Sequence, residues 1–312
     1  MADDNDNLWR DFPKTAIEFE RKFATEADCI SYWMRARWGG KPACARCAST
    51  RVWIEREGRR FECAECGHQT SLTSGTVLEG TRKPFKVWFR AVFEVSSRKN
   101  GISAKELQRI LGFGSYETAW TWLHKIRGAL VRPNREKLGE DVEIDAAFVG
   151  GTRLGKSMVL VATETDGRVR LAHALTNDED TLKTFADANL CHDASITSDG
   201  HAGYNATSLG EREHVGVVQT KAERAVLDTL QYAHWTVSML KRWLIGTHAG
   251  AVKARHLQAY LDEFAFRWNR RKTNGVGRIS ARAIEMLVSH GPRTMRAIVN
   301  GANPYPLFQP VT

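Results

Sequence analysis

No apolar run in the 312-residue sequence approaches the ~18–20 residues that a membrane-spanning helix requires. The first residues, MADDNDNLWRDF, are acidic and lack the basic and apolar regions of a secretion signal. Internal repeats and low-complexity tracts are absent as well. Hydrophobic residues make up 42% and charged residues 26% of the sequence, as in ordinary globular proteins. We therefore expect a globular cytoplasmic protein with no membrane partner.

Acidic residues are too few to balance the basic ones. The sequence has 45 Lys and Arg against 36 Asp and Glu, a formal net charge of +9 and a pI of about 9.3. A basic balance of this size favours a polyanionic partner, and nucleic acid before a membrane surface. Charge alone identifies neither partner, so the choice between them depends on sequence motifs.

Cysteine is scarce, and most of it lies in one cluster. Four of the six cysteines form two C-x2-C pairs separated by fifteen residues, whereas Cys29 and Cys191 stand apart. This usage suits metal binding in a reducing compartment better than disulfide bonds. Four thiolates complete a tetrahedral zinc site with no open position, so we predict a structural zinc ion whose binding stabilises the fold. The predicted ligands are Cys44, Cys47, Cys63 and Cys66.

Alternatives to this zinc site stay open at the level of sequence. The four cysteines could be unrelated buried residues, and Cys29 or His68 could replace one of the ligands, although both rank below the four cysteines. Basic residues surround the cluster, namely Arg46, Arg51, Arg59 and Arg60. They could contact nucleic acid or form an ordinary solvated face.

Helical patterns flank the cysteine cluster. Residues 25–37 predict a helix that begins at a capping box formed by Thr25 and Asp28, and residues 84–98 predict another helix. Residues 103–111 and 116–130 predict two more, joined by the turn sequence GFGS.

The last two helices are consistent with a helix-turn-helix segment. Polar side chains on the second helix could then enter a DNA major groove. The candidates for DNA contact are Tyr116, Thr121, His124, Lys125 and Arg127. A plain helical hairpin without DNA contact is the alternative, because helix pairs with short glycine turns are common.

From residue 141 onward the sequence predicts strands. Three β-branched runs follow one another, VEIDAAFVGG, MVLVATET and RVRLAHAL, and Asp166-Gly167 between the last two is a hairpin signal. A short strand, SITSD, comes later. Helical patterns occupy residues 178–190, 226–248, 255–269 and 280–299. A three-strand meander followed by alternating helices and strand predicts a mixed sheet covered by helices, hence a mixed α+β fold.

Two acidic residues stand on the predicted strands. Asp145 lies within the apolar run VEIDAAFVG, and Asp199 closes SITSD before a glycine. Carboxylates on adjacent strands could share divalent ions. Two ions about 4 Å apart can activate an attacking oxygen and stabilise a leaving oxygen in phosphodiester chemistry. Glu143, two residues before Asp145 on the same strand face, is a second-choice ligand.

These motifs, in this order, resemble a group of bacterial insertion-sequence transposases of the ISXO type. The resemblance extends over about residues 16–275 and rests on the paired C-x2-C motifs, VEIDAAFVGG, SDGHAGYN, LKRWLIGTH and HLQAYLDEFAFRWNRR. Such proteins join an N-terminal zinc ribbon to a DDE catalytic domain of RNase H-like fold. The resemblance implies that Asp145 and Asp199 are the first two catalytic acids and that Mg²⁺ or Mn²⁺ is the catalytic ion. It also implies DNA cleavage at the element ends with water, followed by attack of the freed 3′ hydroxyl on target DNA.

The third acid of the group is missing from its expected helix. Residues 233–248, AHWTVSMLKRWLIGTH, contain no acidic residue, and alignment of LKR with the group's motif places His234 at that position. The group tolerates Glu, Asn or His there, so His234 is the predicted third catalytic and metal-binding residue. Lys241 lies two helical turns further along the same face and is predicted to neutralise phosphate.

Alternatives to His234 remain. It could be a surface histidine on a basic face, and other acids could supply the third ligand. These rivals are Glu211, Glu213, Glu223, Asp228 and Glu263.

The combined prediction is a DNA transposase in four parts. These are an N-terminal helix with the zinc ribbon (1–75), a helical DNA-binding segment (76–134), an RNase H-like catalytic domain (135–278) and a helical tail (279–312). The expected partners are double-stranded DNA, at the element ends and at the target, and further copies of the chain assembled on DNA at the nucleoid. The alternatives are a DNA-binding regulator without catalysis and a nuclease that cuts without joining.

Overall fold

The computed structural model describes residue 8 and residues 10–55, 58–132, 135–150, 155–165, 167–273 and 275–301. These residues fall into two compact units. The first comprises the residues up to Leu130 together with Lys272–Val299, and the second comprises Val131–Arg271 together with Asn300 and Gly301. No helix within these ranges combines the length and the apolar character needed to cross a membrane.

The first unit combines helices with one small sheet. Its helices are α1 (Ala16–Lys22), α2 (Glu26–Trp38), α3 (Phe85–Ser97), α4 (Ala104–Leu111), α5 (Tyr116–Ala129), α11 (Val276–Ser289) and α12 (Met295–Val299). Its strands, β1 (Val52–Ile54), β2 (Arg60–Cys63) and β3 (Gln69–Ser71), pair antiparallel in the order β1-β2-β3. The predicted capping box at the start of α2 is confirmed, because Thr25 N donates to Asp28 Oδ2 at 2.8 Å and Asp28 N donates to Thr25 Oγ1 at 3.2 Å.

Aromatic side chains form a core around α2 and α3. The rings of Phe23, Tyr32 and Phe89 meet edge to face, with centroids 4.9–5.7 Å apart. Trp33 is fully buried, and its Nε1 donates to the carbonyl of Leu72 at 2.8 Å. Since Leu72 follows β3 directly, this bond ties the small sheet to α2.

The helical tail belongs to the first unit. Helix α11 packs against α2, α3 and α5, and α12 packs against α5. The buried side of α11 includes Ala281, Ile284 and Leu287, spaced three residues apart as on one helix face. The carbonyl of Leu287 also accepts a 3.4 Å bond from Val77 N. An amphipathic pattern indicates that a helix has a buried side but not which element covers it, so the sequence did not reveal this partner.

The second unit is built on a five-stranded mixed sheet in the order β6-β5-β4-β7-β8. The strands are β4 (Asp141–Val149), β5 (Ser157–Glu164), β6 (Val169–Ala174), β7 (Ser195–Ser198) and β8 (His214–Gly216). Strands β4, β5 and β6 pair antiparallel, whereas β7 pairs parallel with β4 and β8. The helices are α6 (Glu179–Asn189), α7 (Ala206–Leu209), α8 (Lys221–Val226), α9 (Gln231–His248) and α10 (Ala254–Trp268). The predicted mixed α+β fold is confirmed.

Helices cover both faces of this sheet. One core joins Ile144 of β4 to Phe185 of α6. The other joins Ala147 of β4 to Leu240 of α9 and to α10. Successive side chains of a strand point to opposite faces, so Asp145 falls on the α9 face together with Ala147.

Some predicted boundaries in the second unit were wrong. The helix expected at 226–248 starts only at Gln231, because Asp228 Oδ1 accepts a 3.1 Å bond from Leu230 N in a turn that separates α8 from α9. Helix α7 and strand β8 were missed, since elements of four and three residues are too short to show a periodicity. The hairpin signal at Asp166 lies outside the described residues.

Candidate active site and zinc centre

The four cysteines of the paired C-x2-C motifs converge beside the small sheet of the first unit. Their Sγ atoms all lie within 4.8 Å of one another, with 3.6 Å between Cys44 and Cys66 and 3.4 Å between Cys47 and Cys63. In a tetrahedral site with zinc–sulfur bonds of about 2.3 Å, the sulfur atoms lie about 3.8 Å apart. The cluster therefore fits a structural zinc ion, and the alternative of four unrelated cysteines is wrong.

The two substitute ligands do not join this cluster. Cys29 is fully buried, and burial raises the pKa of its thiol to about 12, so it is a structural residue rather than a thiolate ligand. The arginines near the cluster are all exposed, and Arg51 pairs with Glu65 at 2.7 Å.

Of the two predicted catalytic acids of the second unit, Asp145 lies on β4 and Asp199 directly follows the neighbouring strand β7. Strands β4 and β7 are parallel neighbours, and their register pairs Ile144 with Ser198. Asp145 and Asp199 are the next residue on each chain segment, and adjacent strands lie about 4.8 Å apart. Asp145 is buried, whereas Asp199 is exposed. The two acids therefore lie at the boundary between the interior of the sheet and its surface, and a substrate can reach Asp199.

His234 reaches Asp145 from helix α9. Its Nε2 lies 3.7 Å from Oδ2 of Asp145, and its Nδ1 lies 2.6 Å from Oδ2 of Asp228. The side chain of His234 is 27% exposed, and those of Asp145 and Asp228 are 13% and 24% exposed. A half-buried imidazole between two carboxylates does not fit the alternative of a surface histidine on a basic face.

Glu143 anchors the start of α9. Its Oε2 accepts a 2.7 Å hydrogen bond from Ala233 N, and the backbone of Tyr232 also acts to lower the pKa of this carboxyl group. The residue before the helix offers no side-chain cap, so this carboxylate satisfies N–H groups that the first helical turn leaves unpaired. Glu143 and Asp145 are two residues apart on β4, while Ala233 and His234 are consecutive on α9. This geometry favours an anchoring role for Glu143 over a ligand role.

Burial raises the pKa of both strand acids. For Asp145 the loss of solvation is the largest cause, His234 opposes it, and the carboxylate of Asp199 adds to it. For Glu143 burial is again the largest cause, opposed by the N–H of Ala233. Such an arrangement disfavours negative charge unless a cation neutralises it. The donor set therefore suits a divalent metal, although within the described residues only the cysteine sulfurs are gathered tightly enough to hold one as they stand.

Tyr204 adds a buried hydroxyl near the acids. The segment from Asp199 folds back on itself, because Asp199 Oδ1 accepts from His201 N at 3.1 Å and Tyr204 N donates to the carbonyl of His201 at 2.9 Å. Tyr204 is 6% exposed; burial raises the pKa of its phenol, and the charges of Asp199 and Asp145 raise it further. Its Oη has no hydrogen-bond partner among the described residues. Buried hydroxyls normally have one, so this group is available to a ligand or to ordered water.

Two other α9 residues continue the seven-residue spacing from His234. Lys241 is exposed, which suits contact with phosphate. His248 instead packs edge-on against Trp243 and Tyr260, with ring centroids 4.7 and 4.8 Å apart. We therefore assign His248 to the packing between α9 and α10 rather than to the site.

The other candidates for the third acid differ in their contacts and burial. Asp228 contacts His234, as described above. Glu223 is exposed and caps α8 by accepting from Thr220 N at 2.8 Å. Glu263 is fully buried and pairs with Arg267 at 3.1 Å inside α10, so it is structural. Glu211 and Glu213 are both exposed beside β8.

The polar side of α5 is less accessible than the sequence suggested. Tyr116 is 46% exposed, but Thr121, His124 and Arg127 are buried, at 7%, 2% and 1% exposed. Lys125 is half-buried. Helices α11 and α12 pack on α5, and Arg293 donates to the carbonyl of His124 at 2.9 Å, so these three residues are covered in this structure.

Two family models match the chain, one in each compact unit. The model of the ISXO2-like transposase domain matches residues 137–269, and that of the transposase zinc-ribbon domain matches residues 24–69. Together the two matches cover more than half of the chain. The chain therefore belongs to the insertion-sequence transposases that join a zinc ribbon to an ISXO2-like DDE domain. No curated protein matched it.

Proposed function

We propose that the chain is an active DNA transposase, which cuts the ends of its element and joins them to target DNA. The observation that carries this proposal is that His234 Nε2 lies 3.7 Å from Asp145, whose neighbour across the parallel β4–β7 pair is Asp199. Asp145 lies on β4, Asp199 directly follows β7, and His234 lies on α9, all within the domain that matches the transposase model. Because acids on neighbouring strands with a third donor suit two-metal phosphodiester chemistry, strand cleavage and strand transfer are the reactions this geometry supports best.

Each residue has a role that follows from its surroundings. Asp145 and Asp199 would hold Mg²⁺ or Mn²⁺, and Nε2 of His234 would be the third donor. When bound, these ions activate the attacking oxygen and stabilise the leaving oxygen. Lys241, exposed on the same helix, would neutralise a phosphate of the DNA backbone.

DNA binding is assigned to the first unit. The zinc ribbon exposes Arg46, Arg51, Arg59 and Arg60, and Trp53 on the edge strand β1 is 71% exposed. Cations can contact phosphates and an exposed aromatic ring can contact bases, so we place recognition of the element ends here, with Tyr116 of α5 as a further candidate. Binding should weaken steeply with salt as Lys and Arg displace counterions. Since two ends must be joined to one target, we also propose that several copies assemble on DNA.

Asp145→Asn and Asp199→Asn provide the test, because they keep side-chain size and remove charge. Both variants should lose cleavage and joining of end-bearing DNA, while binding to the ends in a competition assay survives. Cleavage by the parent chain without joining would identify a nuclease instead. Selective binding without cleavage by the parent, with Mg²⁺ or Mn²⁺, would identify a DNA-binding regulator.

A further inference from the structure

We propose that His234 and Asp228 act as one unit in place of the missing third carboxylate, with the histidine supplying the donor atom and the aspartate supplying the negative charge. This inference rests on the proposed metal-dependent function. It explains how a helix with no acid between residues 233 and 248 can complete the site. The two distances that support it are 2.6 Å from Nδ1 of His234 to Oδ2 of Asp228 and 3.7 Å from Nε2 to Oδ2 of Asp145.

The first consequence concerns the tautomer of His234. A carboxylate accepts hydrogen bonds and cannot donate one, so the contact with Asp228 places the imidazole proton on Nδ1. The lone pair of the neutral ring then lies on Nε2, which faces Asp145. A metal-binding histidine commonly gives its other N–H to a carboxylate, which fixes the ring and strengthens the donor. Asp228 is therefore a positioning residue.

The second consequence concerns charge. A neutral imidazole donates a lone pair but adds no negative charge, so a site of two acids and a histidine attracts a divalent cation less than three acids do. Asp228 supplies a negative charge to the site through its hydrogen bond to His234. Its side chain is only 24% exposed, so the attraction between this charge and a cation is screened less than in water.

The position of Asp228 is itself fixed. Its Oδ1 accepts from Leu230 N at 3.1 Å at the start of α9, and its Oδ2 is left for the imidazole. The same short turn thus begins the helix and holds the ring. Glu223, an exposed acid on α8 that caps its own helix through Thr220, provides a matched control in the same segment.

The tautomer can be tested on the full-length chain without metal in the catalytic site. Long-range ¹H–¹⁵N correlation spectra of histidine-labelled protein should show His234, identified by its loss in His234→Ala, with a protonated Nδ1 and an unprotonated Nε2 at a pH where the ring is neutral. In Asp228→Ala the tautomers should become mixed. A protonated Nε2 in the parent chain would overturn the proposal.

The contribution of the Asp228 charge can be tested on the full-length parent chain and its variants, each with zinc bound in the ribbon. Mn²⁺ is added stepwise, and its binding is measured by electron paramagnetic resonance. Asp228→Ala should weaken binding by about 10- to 100-fold, and Glu223→Gln should leave it unchanged. Asp228→Asn keeps one acceptor oxygen, which can still serve Leu230 N, but it loses the charge and the second acceptor, so Mn²⁺ binding should weaken here as well. This variant also protects the test if Asp228→Ala disturbs the start of α9. The double variant Asp228→Ala, His234→Ala should bind little worse than His234→Ala, because the two residues act together.

The outcomes separate this inference from the proposed function. If Asp145→Asn removes the Mn²⁺ site while both Asp228 variants bind like the parent, the metal site stands and the pair is wrong. If Asp145→Asn also binds like the parent, the metal site itself is wrong.

Discussion

The carboxylate of Glu143 accepts a 2.7 Å hydrogen bond from the backbone N–H of Ala233, ninety residues further along the chain. His234 is the next residue on α9, and its Nε2 lies 3.7 Å from Oδ2 of Asp145. Strand β4 and helix α9 are therefore joined at two neighbouring points. The Glu143–Ala233 bond holds the helix in place, and the Asp145–His234 contact belongs to the candidate active site. Helix α9 cannot slide along β4 without breaking the first contact, so Glu143 fixes the distance across the second.

Glu143→Ala should lower the free energy of unfolding and reduce DNA cleavage together. Loss of a helix cap costs about 1 kcal/mol, and the freed N-terminus of α9 should no longer hold His234 against Asp145. Glu143→Gln keeps an acceptor for Ala233 N and should have a clearly smaller effect on both quantities. Denaturant unfolding and a cleavage assay provide the measurements. Equal loss of activity in the two variants would point to the charge of Glu143, and hence to a ligand role.

The zinc ribbon should bind one zinc ion per chain and lose it when two ligands are removed. Cys63→Ser with Cys66→Ser should abolish bound zinc and unfold the ribbon, since metal binding stabilises so small a sheet. Chelation of the parent protein should do the same and leave the sheet of the second unit folded. Metal analysis and hydrogen exchange report the two effects. Cys191→Ser is the control, because this cysteine lies outside the cluster, and undiminished zinc in the double variant would exclude the site.

The sequence singled out the candidate acids and the zinc ligands, but it did not show which groups position them. Asp145, Asp199 and the cysteines sit in motifs whose spacing reflects local structure. Glu143 was ranked as a second-choice ligand because alternation along a strand shows which face of the sheet a residue lies on. Alternation does not show that the start of α9, ninety residues away, needs a hydrogen-bond acceptor.

The contact between Asp228 and His234 depends on a turn within a segment that periodicity assigned to one helix. The burial of Thr121, His124 and Arg127 has a similar origin. It results from α11 and α12, the first of which begins 160 residues after the start of α5 (276 − 116), and no local pattern on α5 shows this contact.

The tail helix should stabilise the first unit and not the second. Leu287 is fully buried on α11, so Leu287→Ala should lower the free energy of unfolding of the first unit by about 2–5 kcal/mol. Met295→Ala, at a position 49% exposed on α12, should have little effect. Hydrogen exchange should show faster exchange in α2, α3 and α5, with β4 and β5 unchanged. Loss of protection in β4 and β5 instead would contradict the assignment of the tail.

Tyr204→Phe should affect the stability of the metal-free protein and the binding of a ligand in opposite directions. Because Oη has no hydrogen-bond partner in the described structure, its removal should not lower the free energy of unfolding of the metal-free protein and should raise it by about 1 kcal/mol. If the hydroxyl serves a bound ligand, the same variant should bind Mn²⁺ or end DNA more weakly. Thermal unfolding and Mn²⁺ titration give the two values. A destabilised variant with unchanged binding would make Tyr204 an ordinary core residue.

His234 should determine the metal preference of the reaction. His234→Ala should reduce cleavage and strand transfer by about a hundredfold or more, yet leave some activity because Asp145 and Asp199 remain. Imidazole suits Mn²⁺ better than Mg²⁺, which prefers oxygen ligands in strict octahedral geometry, so the parent chain should gain more from Mn²⁺ than His234→Glu does. Rates of both steps with each metal provide the test, with Glu223→Ala as the control in the neighbouring segment. Retained activity with a shifted preference in His234→Glu would place a metal ligand at this position. Full activity in His234→Ala together with an inactive Glu223→Ala would move the third ligand to α8, away from the imidazole that lies between Asp145 and Asp228.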